Sequence, residues 1–377
     1  MNYNNLNKIF AAVVFIVTAA VYFITVQPTV SFWDCGEFIA SSYLLQVPHP
    51  PGTPFFILVG RVFSMIPFVE NIGLRVNAIS IISSAFTILF LYLIAVKVIQ
   101  YYRKKEFENI FDAIVVYTSA AIGALSLAFS DTFWFNAVEA EVYAFSTFFI
   151  AVVVWLMVKW NEKADEPDNE KYLLLIAYLI GLSTGVHLMS ALAIVPVVMT
   201  IYFRKFVHDE EILKKSGILF VVHSVIILVF AVIMWMSLTE TTPPSPDAYS
   251  AVDSRFVGIF AGITIVFMGI FYKKILVKSS FYLPIIMGGI ALVAVYPGMV
   301  KYLPKLITAI GRNDLTLDTI VFFVIIGVLI AAIFYTKKKE MYISNLIAKC
   351  VLLAVIGVTS YSMIIIRANQ EPPINMN

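Results

Sequence analysis

Long apolar runs separated by short charged connectors make up this chain. The runs cover 9–26, 76–100, 112–130, 142–160, 217–238, 257–272, 280–297, 318–336 and 343–366. Each approaches the length of a crossing helix, because a hydrocarbon core of ~30 Å takes about 20 apolar residues. Two stretches break the pattern. Pro54–Phe68 is short, carries Arg61 in its middle and is bracketed by Pro51, Pro54 and Pro67. It predicts a short helix that lies along the outer surface or dips in and returns. Residues 172–203 are long enough for two short helices with a break near Gly181–Ser190, and the break holds His187. Broken backbone at membrane depth is tolerated only inside protein or beside a wet cavity. The pattern therefore predicts an all-α, polytopic helix bundle with about eleven crossings, its 181–190 break facing a cavity near the outer side.

Charge placement orients the bundle. The connectors YYRKKEFE (101–108), NEKADEPDNEK (161–171), RKFVHDEEILKK (204–215), KKILVK (273–278) and KKK (337–339) carry most of the lysines. The positive-inside rule puts them in the cytoplasm, and the amino end with them. The connectors around 27–53, 131–141, 239–256, 298–316 and 367–377 then lie outside. The first three contain only Arg255 among Lys and Arg, whereas the fourth carries Lys301, Lys305 and Arg312.

Composition narrows the classes further. Apolar residues are 60% of the chain, charged residues 13%, and the net charge is +2, a balance that does not suggest a nucleic-acid partner. The first run has no small-residue cleavage site and only Lys8 ahead of it, so it reads as a retained span rather than a signal peptide. Cys35 and Cys350 read as unpaired thiols, and no Cys/His set has zinc spacing. Neither a GxxxxGK[ST] nor a GxGxxG pattern occurs.

The ionisable residues of the outer side are concentrated. The first outer connector and the helix after it, SFWDCGEFIASSYLLQVPHPPGTPFFILVGRVF (31–63), hold Asp34, Glu37, His49 and Arg61. The second, SDTFWFNAVEAEVYAF, interleaves Asp131, Glu139 and Glu141 with aromatics. Aromatics are expected at an interface, but carboxylates there cost several kcal/mol unless paired or protonated. Plain structural roles compete. Asp34 and Glu37 fit a capping box, His49 between Pro48 and Pro50 fits a turn, and Arg61 can snorkel. His187 fits a buried, hydrogen-bonded histidine. For Asp34, at the mouth of the first span, a general base is the preferred reading. Glu139 and Glu141, two apart on a helix, diverge by roughly 200°, so at most one of them faces a given pocket.

Carboxylates and arginines together at a membrane face suit transfer from a lipid-linked phosphate. An arginine neutralises the leaving phosphate, and a carboxylate deprotonates the incoming hydroxyl. Arg61, Arg75, Arg255 and Arg367 lie at outer ends of helices, and one of them is expected near Asp34. A carboxylate at a low-dielectric interface stays ionised only beside a cation or a metal. The residues fix no cofactor, and a divalent metal stays open. Asp34 with Glu139 or Glu141 offers hard oxygen ligands that suit Mg²⁺ or Mn²⁺.

An acidic residue in a long first outer loop, directly after the first span, resembles the GT-C superfamily of polytopic glycosyltransferases. More narrowly, FWDCGEFIASSYLLQVPHPPGTPFFILVGRVF (32–63) resembles the opening signature of a bacterial, protein O-mannosyltransferase-like membrane family. NAVEAEVYAFSTFF (136–149) and GLSTGVHLMSALAIVP (181–196) resemble that family's later blocks. The resemblance covers residues 1–203, and RANQEPPIN (367–375) is similar to the family's junction with an outer soluble domain. It implies a transmembrane domain over 1–366, with 367–377 an outer tail or the start of a further domain. It also implies an inverting enzyme of a bacterial inner membrane with its active face periplasmic. The implied donor is a polyprenyl-phosphate hexose, with mannose as the sugar, and the implied acceptor is a protein or glycan hydroxyl. Asp34 matches the family's first-loop acid, a general base or acceptor-orienting group, and Glu37 a second catalytic acid. His49, Arg61, Glu139, Glu141, His187, Arg255 and Arg367 are the expected substrate-binding set. The competing readings are a transporter or flippase for a lipid-linked or anionic solute, supported by the broken 172–203 pair, and a noncatalytic partner subunit.

Overall fold

The computed structural model describes residues 3–238 and 246–371. Connector residues 239–245 and tail residues 372–377 lie outside the described residues. The helices in chain order are α1 (Tyr3–Ile24), α2 (Cys35–Leu44), α3 (Pro54–Met65), α4 (Ile72–Arg103), α5 (Ile110–Ala128), α6 (Asp131–Ala137), α7 (Val142–Lys163) and α8 (Glu170–Thr184). A 3₁₀ turn (Leu188–Ala193) leads into α9 (Ile194–Phe206), α10 (Glu210–Leu238), α11 (Pro246–Ile275) and α12 (Tyr282–Val293). A π segment (Ala294–Tyr302) carries the chain into α13 (Leu303–Gly311), followed by α14 (Leu315–Lys338), α15 (Tyr342–Val358) and α16 (Ser362–Ala368).

Ten helical stretches among the described residues are long and apolar enough to cross a membrane, and the chain is an integral membrane protein of the polytopic helical class. The eleventh expected crossing corresponds to α8. Its 15 residues rise only about 22 Å, short of a full hydrocarbon core. α3, with 12 residues, is a short helix, as its arginine and flanking prolines predicted.

The described residues form two compact units. The larger comprises Met1–Ile194 and Leu292–Asn377. At its centre α4, 32 residues long, packs against α1, α2, α3, α5 and α7. Asn77, Ser80, Ser83, Ser84 and Thr87 are buried along α4, so it is polar where other helices meet it rather than where lipid would. Its two ends differ in chemistry. Near the carboxyl end, Lys97 pairs with Glu162 at 2.8 Å and Arg103 with Asp112 at 2.6 Å. Near the amino end, Asn77 Nδ2 donates to the carbonyls of Gln27 (2.8 Å) and Thr29 (3.2 Å), and Asn71 Nδ2 to that of Pro28 (2.9 Å). These bonds fix the start of the first long loop on the helix end opposite the basic connectors.

α8 and α15 cross closely in the same unit. A Cβ on Gly181 would strike the Ala354 backbone, and one on Gly357 would strike the backbone of Tyr178 and Leu182. Only glycine lets the two backbones approach this far. The smaller unit, Val195–Ala291, holds α10 and α11 as a packed pair, with the His223 ring stacked 4.6 Å from Phe267. Most apolar side chains of this pair point outward, as suits contact with lipid tails.

Candidate active site

The first long loop is held from two sides. Besides the bonds from α4, the Gln27 N–H donates to the Val138 carbonyl (3.0 Å), and Trp134 Nε1 to the Thr25 hydroxyl (2.9 Å). The loop that carries Asp34 and the connector that carries Glu139 and Glu141 are thereby tied together. Phe32 and Trp33 project outward, Trp33 with φ 64°, a left-handed backbone that a bulky residue seldom adopts.

Asp34 occupies the N-cap position of α2, yet its side chain makes no capping bond and is half exposed. Glu37 does not close a capping box either. One of its carboxylate oxygens accepts the His49 backbone N–H at 2.6 Å, and the other lies 2.7 Å from His49 Nδ1. Both oxygens therefore hold one residue, and the loop after α2 is clamped to that helix's first turn. The other ring nitrogen, Nε2, stands 3.9 Å from Asp34 Oδ2. The Glu37 hydrogen bond raises the pKa of His49 above the ordinary imidazole value, and the charges of Glu37, Asp34 and Glu141 act in the same direction.

Glu139 and Glu141 are not on a helix, so the helical angle between them does not apply. They lie between α6 and α7, in a tight turn closed by the Glu141 N–H on the Glu139 carbonyl (2.8 Å). Both are buried, at 2% and 6% exposure. Glu141 caps α7 through the Val142 N–H (3.3 Å), and the Cys35 thiol approaches its Oε1 at 3.6 Å. Burial pushes the Glu141 carboxyl up to about 7 and the Cys35 thiol up to about 12. Asp34 adds its negative charge to the first of these, and Glu139 adds its own to both. The two glutamates thus form a buried acidic floor beneath the amino end of α2.

The 185–187 bend joins the same region. Phe38, Ile39, Phe56, Ile57, Val142 and Val186 share one apolar cluster with Val76 and Ile79 of α4. The first two amides of α3, Phe55 and Phe56, both donate to the Gly185 carbonyl, at 2.7 and 3.4 Å. A Cβ at 185 would meet the Ser360 hydroxyl and crowd the Phe55 Cβ, where three segments converge. His187 caps the 3₁₀ turn by accepting the Met189 N–H at 3.2 Å, and its ring packs 5.1 Å from Tyr143. Burial lowers its pKa. The helix that Asp34 precedes and the histidine-bearing bend therefore pack on one core. His187, by its capping bond, has a structural occupation.

Two of the arginines are bound to backbone carbonyls. Arg61 donates to the Tyr43 carbonyl and covers the Tyr43 ring at 5.6 Å. Arg75 donates to the carbonyls of Ser64 (2.9 Å) and Val69 (2.6 Å). Both are engaged in holding the α2–α3–α4 connections. Arg367 ends α16 in the larger unit, and Arg255 is an exposed residue of α11 in the smaller one. The only cation paired with Asp34 or Glu37 among the described residues is His49. The sequence signal was HPP, a histidine held in a proline turn twelve residues after Glu37.

Ligand atoms of Asp34, Glu37 and His49 lie within 4.8 Å of one another. Both Glu37 oxygens take His49 donors, so Asp34 Oδ2 and His49 Nε2, 3.9 Å apart, are the atoms left facing a common gap. That is a sparse donor set for a hard cation, which takes roughly six or more oxygens. The Glu141 oxygens face the Cys35 thiol and the Val142 amide.

Comparison with known proteins picks out the same region. The matching stretch aligns with Protein O-mannosyl-transferase tmem260 of Dictyostelium discoideum at 25% identity over 197 residues, 50% of this chain and 22% of that protein. The mouse Protein O-mannosyl-transferase TMEM260 is 25% identical over 198 residues, 52% of this chain and 26% of the relative. The chain thus spans about a quarter of the length of the relatives it matches. No solved structure matches it. Residues 34–210, from Asp34 through the 185–187 bend, match the family model described as the Protein O-mannosyl-transferase TMEM260 N-terminal domain, and over that stretch the chain is similar to these transferases.

Proposed function

We propose that this chain transfers a hexose, mannose by analogy with the relatives' names, from a polyprenyl-phosphate carrier to a serine or threonine hydroxyl of a protein. The reaction takes place at the outer face of the membrane. The observation that carries this reading is the Asp34 carboxylate, which is free of the capping bond its position invites, half exposed, and backed by a buried acidic floor. Asp34 removes the proton of the acceptor hydroxyl as its oxygen attacks the anomeric carbon, and the carrier phosphate departs on the opposite face of the sugar. General-base help of this kind contributes about 10²–10⁴-fold. Transfer is preferred to the transporter reading because the break at 185–187 gives its Gly185 carbonyl to two α3 amides and its Thr184 carbonyl to the Tyr361 hydroxyl (2.9 Å).

The test is transfer from a radiolabelled polyprenyl-phosphate hexose to a serine/threonine peptide by membranes carrying the full chain. Labelled peptide is expected, and Asp34→Asn is expected to lower its rate at least about 10²-fold without changing the amount of folded protein. Normal transfer by the Asn variant sinks the assignment of the base.

A further inference from the structure

We propose that His49 is a second catalytic group of this site, held by Glu37 so that its Nε2 receives the acceptor's proton from Asp34. The inference rests on the transfer reaction proposed above and adds to it the route by which the proton leaves.

Three features of the geometry support it. First, the Glu37 oxygens take both the backbone N–H and Nδ1 of His49, so the ring is fixed in position and the neutral ring carries its hydrogen on Nδ1. Its lone pair is then on Nε2. Second, Nε2 is 3.9 Å from Asp34 Oδ2, too long for a direct hydrogen bond. A hydroxyl or water oxygen at about 2.7 Å from each atom fits the gap. Third, His49 is half exposed, so a proton on it reaches solvent, whereas the floor behind Asp34 is buried. The arrangement is a carboxylate orienting an imidazole whose far nitrogen faces the chemistry, the logic by which such pairs act as bases on several unrelated folds.

The atoms balance as follows. The acceptor O–H bond breaks and its proton passes to Asp34 Oδ2. The acceptor oxygen forms a bond to the anomeric carbon, and the bond from that carbon to the phosphate oxygen breaks, its electron pair leaving with the carrier phosphate. The proton moves on from Asp34 to His49 Nε2 and then to water, which returns Asp34 to its basic form. Glu37 is a positioning residue: it touches neither sugar nor acceptor, and it favours the imidazolium that forms.

The pH behaviour follows from the groups around the ring. Glu37 and Asp34 of α2 and Glu141 at the start of α7 all favour the protonated ring, and the Phe38 ring packs 5.7 Å away. A protonated His49 accepts nothing, so turnover falls as pH drops through its raised pKa. Glu37→Gln removes the largest raising influence and moves that acid limb to lower pH.

The full chain in detergent, with ¹⁵N-labelled histidine, tests both parts. The neutral His49 ring, identified by the signal lost in His49→Gln, is expected to carry its proton on Nδ1, with a titration midpoint that falls in Glu37→Gln. In transfer assays His49→Gln is expected to lower kcat about 10²-fold with little change in donor KM and to erase the imidazole-range acid limb. Glu37→Gln is expected to shift that limb by the same amount as the titration. The opposite tautomer, or a limb unmoved in both variants while transfer proceeds, overturns this inference and leaves the proposed function standing. A wild-type chain that transfers no hexose sinks both together.

Discussion

At the residue scale, Glu141 is the group whose environment conflicts most with its charge. It caps α7, so its oxygen is useful there, yet burial holds its proton on up to about 7, against an ordinary 4.5. The folded state therefore binds more proton than the unfolded one between these values, and stability falls as pH rises through that window. Glu141→Gln keeps the size and an acceptor oxygen but has no charge to bury. Thermal unfolding in detergent is expected to show a wild-type midpoint that declines from pH 5 to pH 7, and a flatter profile in the variant. Parallel profiles would mean that Glu141 is not the titrating group. The connector over 131–141 was legible in the sequence, but the burial of both its glutamates was not, because carboxylates in an outer connector read as solvated. Glu37 was misleading in the same way: its i, i+3 spacing from Asp34 is that of a capping box, and only the fold shows its oxygens on His49 instead.

At the element scale, the α8–α15 crossing shows how short helices stay in place within the larger unit. α8 lacks the length of a full span and is held by backbone proximity rather than by large side chains. Gly357→Val forces apart two backbones with no flexible side chain to yield, an overpacking change of about 1–3 kcal/mol. A lowered thermal midpoint is expected. Transfer should also weaken, because α8 ends in the bend that receives α3. Unchanged stability would show that the crossing relaxes without cost. The short α3 and the break after α8 were both legible, from prolines, a mid-segment arginine and a run too short for two spans. The partner of that break was not, because the bonds from Phe55 and Phe56 to Gly185 join positions about 130 residues apart.

At the scale of the whole molecule, chemistry divides along α4. The loop with Asp34 is bound to its amino end, and the ion pairs of Lys97 and Arg103 gather at the other. A helix of 32 residues rises about 48 Å, enough to carry these ends past both faces of a bilayer. Single cysteines placed at the exposed Phe32 and at Lys104 are therefore expected to react with an impermeant maleimide from opposite sides. Labelling of both from one side contradicts the arrangement. The native thiols leave a low background, since Cys35 is fully buried and Cys350 lies within α15. This polarity was readable from the lysine-rich connectors alone. The site's cation was not: the residue found paired with Asp34 is His49, and carbonyls at the ends of short helices engage Arg61 and Arg75.

The Gly185 oxygen has a mechanical consequence. Two amides from α3 end on that single atom, which makes it a pivot shared by α3 and the bend after α8. Anything wedged beneath α3, such as a long isoprenoid tail, strains the pivot before it disturbs either segment alone. Opening at α3 and opening at the bend are then one event, and deuterium uptake at Phe55 and at the 185–187 amides is expected to quicken in step when a lipid-linked donor is added.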